Sequence, residues 1–112
     1  MQVKIGRRNI NIRARRLSKI GMIKGLMFCP TNTETLLFDF GHDARHAIHS
    51  YFVFFTFLAV WLDEKNNVVD KFKVRPFTTL RMPNVKCRKL IEIPCNDNNE
   101  KIIEFFVEKR KN

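Results

Sequence analysis

The sequence predicts a mainly β (α+β), single-domain fold, a β-sandwich or open-barrel-like arrangement with one short helix after the first hairpin. Three observations point there. Eleven of the 112 residues are phenylalanine and alanine is scarce, and aromatic side chains suit the half-buried pleated surface of a sheet better than a helix. Turn residues recur at short intervals and cut the chain into many short segments. A 45% apolar and 29% charged composition supplies one core in a chain of this length, so residues 1–112 are read as one domain.

The elements follow in order. Val3 and Ile5, then Ile10, Ile12 and Ala14, alternate on either side of Gly6-Arg7-Arg8-Asn9, so residues 1–16 form a basic hairpin. Ser18 is placed to cap a short helix carrying Ile20, Ile23 and Met27 at helical spacing, with Gly25 at its end. Leu36 to Phe40 reads as a strand and Gly41 to Arg45 as a polar loop. The run from Tyr51 to Leu62, YFVFFTFLAVWL, reads as buried strand that bends near Thr56, being too long for one typical strand. A membrane-spanning helix needs roughly 20 apolar residues, so no membrane insertion is expected. Asp63 to Asn67 supplies a hairpin turn, Val68 to Val74 an antiparallel return strand, and Lys89 to Ile93 a further strand closed by Pro94. Glu100 to Glu108 satisfies neither a helical nor a strand period cleanly and reads as either a capped helix or a last strand, and residues 108–112 are read as a candidate flexible tail.

The arginines among the first 16 residues interrupt any secretory hydrophobic region. Cys29, Cys87 and Cys95 are odd in number and lack a C-x-x-C pair, which argues for reduced thiols in a cytoplasmic protein. The net charge is +10, and no acid precedes Glu34. Arg7, Arg8, Arg13, Arg15 and Arg16 on the opening hairpin are therefore candidate nucleic-acid-binding residues, since a basic face holds an anionic backbone in a salt-dependent manner. A second acid-free stretch carries Lys71, Lys73, Arg75, Arg81, Lys86, Arg88 and Lys89. Solvated charge without a specific partner explains the same pattern.

His42, His46 and His49 are spaced four and three apart. They would share a face on a helix, but a loop entering a strand scatters them, so no metal site is assigned. Cys29 and Cys87 read as packing residues. The chain has no Gly-rich phosphate loop, no G-x-S-x-G, no H-E-x-x-H and no paired carboxylates in a recognisable setting. No catalytic residue and no cofactor is assigned.

Several segments resemble a known family. Lys24-Gly25-Leu26-Met27-Phe28, Leu36-Leu37-Phe38-Asp39-Phe40, Ile48-His49-Ser50 running into Phe52-Val53-Phe54-Phe55, Trp61-Leu62-Asp63 with Val68-Val69, Arg75-Pro76, Pro83, and Leu90-Ile91-Glu92-Ile93-Pro94 are similar, in order and spacing, to the archaeal form of domain-of-unknown-function family 192, also called uncharacterised protein family 0127. The resemblance covers the chain from about Ser18 to Pro94 and implies a mostly β, sandwich-like domain with no established activity. The chain departs from the family pattern at Cys29, where arginine is frequent, and at Thr56-Phe57-Leu58, where the family carries Pro-x-Asp.

The sequence thus reads as a binding module for a small or anionic ligand, with His49, Tyr51 and Arg75 as candidate ligand-binding residues. The alternatives are a nonspecific nucleic-acid-binding protein acting through its basic face and an enzyme with a pocket near His49 and Arg75. No oligomeric state is assigned.

Overall fold

The run Phe57–Leu62 forms a strand in which every residue is buried, because both of its faces are covered. The computed structural model describes residues 1–107; the candidate tail 108–112 lies outside the described residues. The elements are β1 (Gln2–Ile5), β2 (Arg8–Asn11), β3 (Arg15–Arg16), α1 (Lys19–Lys24), β4 (Leu36–Ala44), β5 (Phe57–Leu62), β6 (Val68–Val74), β7 (Cys87–Pro94) and, after a 3-10 turn at Asp97–Asn99, α2 (Glu100–Phe106). The fold is mainly β with few helices, as the composition predicts.

Strands β3 to β7 form one five-stranded sheet in the order β3-β4-β7-β5-β6. Its pairings are antiparallel except for the short β3–β4 contact. Strands β1 and β2 make a hairpin over residues 2–11, shorter than the predicted 1–16 because Arg15–Arg16 join the larger sheet, and it lies over one face of this sheet as a second layer. Alternation then sorts the side chains. Leu58, Val60 and Leu62 of β5 join Ile91 and Ile93 of β7 beneath Val3, Ile12 and Phe106 from the hairpin and α2. On the other face, Phe57, Ala59 and Trp61 meet Leu90, Leu36 and Phe38, covered by Leu26, Ile48, Val53 and Phe55 from irregular chain.

Local chemistry accounts for the boundaries. Ser18 Oγ accepts the Gly21 N–H at 3.1 Å, and Gly25, with φ 54°, ends α1. Asp63 Oδ1 accepts the N–H groups of Lys65 and Asn67 at 2.9 Å each, closing the β5–β6 turn. The return strand Val68–Val74 has the predicted bounds. Asn96 caps the 3-10 turn by accepting the Asn99 N–H at 3.1 Å. The chain then continues as the helix Glu100–Phe106, which resolves the two readings of that segment.

Two expectations are corrected. Gly41 to Ala44 is not a polar loop but the end of β4, paired with β7 through an irregular register between Asp39 and Ala44. Gly41, at φ 76°, lies in the irregular stretch between the Asp39–Lys89 and Ala44–Cys87 pairs, so pairing on either side rather than side-chain burial holds this stretch. Nor is the aromatic run a strand throughout: Tyr51 to Thr56 is turn and irregular chain, and β5 begins at Phe57.

Truncating Leu58, which is 1% exposed between the sheet and the hairpin, should cost about 2–5 kcal/mol as Leu58→Ala. Ile20→Ala, at an 81% exposed position, should fall within about 0.5 kcal/mol of the parent. Urea unfolding of the two variants checks both values.

Candidate functional site

A cleft opens on the face of the sheet away from the hairpin, with a cavity volume of ≈ 260 Å³. Its floor is sheet: Phe38 and Phe40 of β4, Phe57 of β5, and Leu90 and Glu92 of β7. Its walls are Met22, Lys24, Gly25, Leu26 and Met27 around the end of α1, and the segment holding Ala47, Ile48, His49 and Val53. The sheet register explains the room. Glu92 stands directly between Leu36 and Ala59 on the neighbouring strands, and the small Ala59 fills little of the space beside it. Across the cleft Gly25 has no side chain, and a Cβ there would lie 3.3 Å from Phe38 Cζ and 3.6 Å from Glu92 Oε1.

Glu92 is the chemically informative group. It is 5% exposed, and among the described residues no donor hydrogen-bonds its carboxyl, although the side chain reaches the cleft. A charged carboxylate without partners is costly in such surroundings. Burial accordingly pushes its pKa from 4.5 up to about 8, so at neutral pH the group is a carboxylic acid, able to donate one O–H as well as accept.

Two further polar groups edge the cleft. Lys24 is exposed in the last turn of α1, its ammonium 3.3 Å from Cys29 Sγ. His49 is also exposed, and its Nδ1 accepts the Tyr51 N–H at 3.2 Å, which leaves the proton of the neutral ring on Nε2. The apolar lining, with thioethers from Met22 and Met27 and rings from Phe38 and Phe40, suits a polarizable or aromatic body.

The sequence-predicted site residues divide around this cleft. His49 lines it; Tyr51 and Arg75 do not. Tyr51 is 42% exposed and leans on the His49 ring with centroids 5.0 Å apart. Arg75 is exposed, and its carbonyl accepts the Ser50 hydroxyl at 2.6 Å. Of the candidate arginines, Arg15 and Arg16 lie not on the hairpin but on β3 at the edge of the five-stranded sheet, where Arg15 pairs with Glu34 and Arg16 with Asp39 at 3.2 Å; Arg8 of the hairpin lies over the Phe105 ring at 4.3 Å. Arg7 and Arg13 are exposed. The hairpin, with Arg8, covers the opposite face of the sheet from the cleft, whereas Arg15 and Arg16 lie at the sheet edge beside β4.

His42 and His46 direct ring nitrogens to the carbonyls of Phe40 and His42, each at 3.0 Å. Among the described residues no three His, Cys, Asp or Glu side chains are grouped as a metal site would need. The three cysteines are free, and burial raises the thiol pKa of both Cys87 and Cys95.

Glu92 is the residue that sequence reasoning passed over. The signal was a lone acid inside Leu-Ile-Glu-Ile-Pro, on a strand apolar enough to be covered on both faces.

Two outcomes follow from this geometry. Gly25→Ala forces a side chain into a backbone conformation of φ 54°, ψ −128° and against Phe38, and should destabilise by about 1–3 kcal/mol in thermal or urea unfolding. The proton on Glu92 couples to folding. The folded protein keeps it up to about pH 8 while the unfolded chain releases it near 4.5, so stability is highest below the lower value and falls as pH rises towards the upper. The slope contributed approaches about 1.4 kcal/mol per pH unit. Unfolding curves across this window should show the loss in the parent and not in Glu92→Gln.

No family model matches the chain, and no curated protein matches it. A crystal structure of a protein of unknown function from Novosphingobium aromaticivorans DSM 12444 is similar in fold, with a TM-score of 0.63 and 14% identity over 78% of this chain. The chain spans 64% of that protein's length.

Proposed function

We propose that the domain is a binding module for a small organic anion with an apolar body. The acid group of the ligand meets the Glu92 carboxyl, and its body lies among Met22, Met27, Phe38 and Phe40. One observation carries this reading: a glutamate only 5% exposed, whose carboxyl opens onto a cleft with no protein hydrogen-bond partner among the described residues.

The chemistry favours an acid over an amine. A protonated carboxyl donates its O–H to a carboxylate, a short charge-assisted bond that strengthens in an apolar site. Lys24 at the rim supplies a counter-charge, and the net charge of +10 draws anions towards the cleft and repels cations. The volume suits one ring and a short chain rather than a large cofactor.

We also propose that the chain is a diverged, archaeal-type member of domain-of-unknown-function family 192. The segments that carry the resemblance supply most of the cleft: Lys24 to Met27, Phe38 with Phe40, Ile48 with His49, Val53, and Leu90 with Glu92. Leu58, where the family carries an aspartate, packs beneath the hairpin on the other face, so this departure leaves the cleft lining intact.

Phenylacetate, hexanoate and benzylamine serve as probes, with methyl resonances of Ile48, Val53, Leu90, Met22 and Met27 followed by NMR. The acids should shift these signals, and their affinity should weaken towards tenfold per pH unit once Glu92 ionises above about pH 8. Glu92→Gln, which keeps a donor, should bind them without that pH dependence. Benzylamine binding that strengthens with pH and disappears in Glu92→Gln would make the cleft a cation site, and no shift with either acid would overturn the proposal.

A further inference from the structure

The loops beside the cleft carry four phenylalanines in solvent. Phe28, Phe52, Phe54 and Phe77 are 64%, 47%, 62% and 46% exposed. They touch one another: Phe28 stacks on Phe52 with centroids 5.0 Å apart, and Phe77 stands edge-on to Phe52 and Phe54 at 6.0 and 5.3 Å. Phe28, Phe52 and Phe77 have φ of 62°, 60° and 58°, a left-handed conformation that is strained for a bulky side chain.

This arrangement is braced. The Phe28 N–H donates to the Phe52 carbonyl and the Phe77 N–H to the Ser50 carbonyl, both at 2.9 Å. The fully buried Ser50 hydroxyl donates to the Arg75 carbonyl and accepts the Thr78 N–H, both at 2.6 Å. Strained residues persist where the surrounding bonds over-determine them, and a contiguous exposed apolar patch marks an interaction surface.

We infer that this aromatic patch docks the protein peripherally onto an anionic lipid surface. The chain segments that carry it favour an anionic partner: residues 24–33, 44–62 and 71–91 contain no acid, whereas Lys24 and Arg75, near Phe28 and Phe77 in the chain, are exposed. Basic groups flanking an apolar patch let the rings enter the headgroup layer while the cations meet the phosphates. A second copy of the chain would bring the same positive charge to the contact. Single-stranded nucleic acid wants open ring faces in succession; here the rings cover one another, with Phe77 at 70° and 72° to its neighbours. The apolar exposure also continues along the following loop to Leu80, 62% exposed, and Met82, 43% exposed, neither of which offers a ring. Lipid imposes no ring orientation. Among the described residues no helix is long and apolar enough to cross a membrane, so the attachment is superficial.

The test is flotation of the full chain with phosphatidylcholine vesicles and with vesicles containing about 30% phosphatidylglycerol, at about 50 and about 500 mM salt. Two variants accompany it: Phe28→Asn with Phe54→Ser, and Arg75→Glu, each verified as folded by circular dichroism. Binding to the anionic vesicles at low salt, at least about tenfold weaker on neutral ones, is expected. The double phenylalanine variant should lose at least about tenfold, and Arg75→Glu should weaken anionic binding selectively. Four results would overturn the inference: no anionic binding at low salt, unchanged binding by the double variant, single-stranded RNA binding that depends on the same phenylalanines in its place, or an oligomer that the double variant dissolves.

Discussion

Strands β5 and β7 lie inside the sheet with apolar layers on both faces, so any polar side chain on them must be met by the protein or remain uncharged. That constraint shapes the rest. It makes the β5 sequence a continuous apolar run instead of an alternating one, and requires a second layer, which the hairpin and α2 provide. It also makes Glu92 exceptional. A methylene-rich side chain at that position would complete the packing between Leu36 and Ala59; the carboxyl instead faces a cleft opened by a glycine at the end of α1. The fold accepts a proton on Glu92 up to about pH 8 in place of a salt bridge, which leaves the group's hydrogen-bonding capacity available to a ligand.

How much of this was legible in the sequence varies with the kind of force that fixes each element. Strand β6 was bounded correctly because an Asp-Asn turn starts it and Pro76 follows it, both local backbone effects. The Ser18 cap and the Gly25 stop belong to the same category. The far end of β4 was missed because its residues are polar and its order comes from pairing with β7 across an irregular register, information held by a segment more than 40 residues away. The C-terminal helix has mixed periodicity because Phe106 alone is deeply buried, so its apolar residues do not define one clean face.

The aromatic run shows a different limit. Its second half is core, as the apolar content required, but Tyr51, Phe52 and Phe54 are exposed. The reading of the whole run as buried strand underestimates the aliphatic supply: Leu26, Leu36, Ile48, Val53 and Leu90 fill that face with Trp61 and Phe57. Composition states how much apolar surface exists, and only topology states where it goes. Of the expected ligand-binding residues, His49 does line the cleft, whereas Arg75 meets the neighbouring Ser50 only through its backbone.

The cleft and the aromatic patch share one piece of chain. Between Ala47 and Phe55, Ile48, Ser50, Val53 and Phe55 are buried while His49, Tyr51, Phe52 and Phe54 are exposed, so one irregular segment supplies a wall of the cavity on its inner side and most of the aromatic surface on its outer side. A regular strand would satisfy its own backbone through a ladder. Here the backbone is instead tied to the loop at Phe28 through Phe52, to Phe77 and Thr78 through Ser50, and to Arg81 through Ile48. Those bonds fix the segment against both neighbours at once, and Phe28 follows directly from the cleft wall at Met27. The position of the outer rings is therefore set by the same contacts that set the width of the cavity.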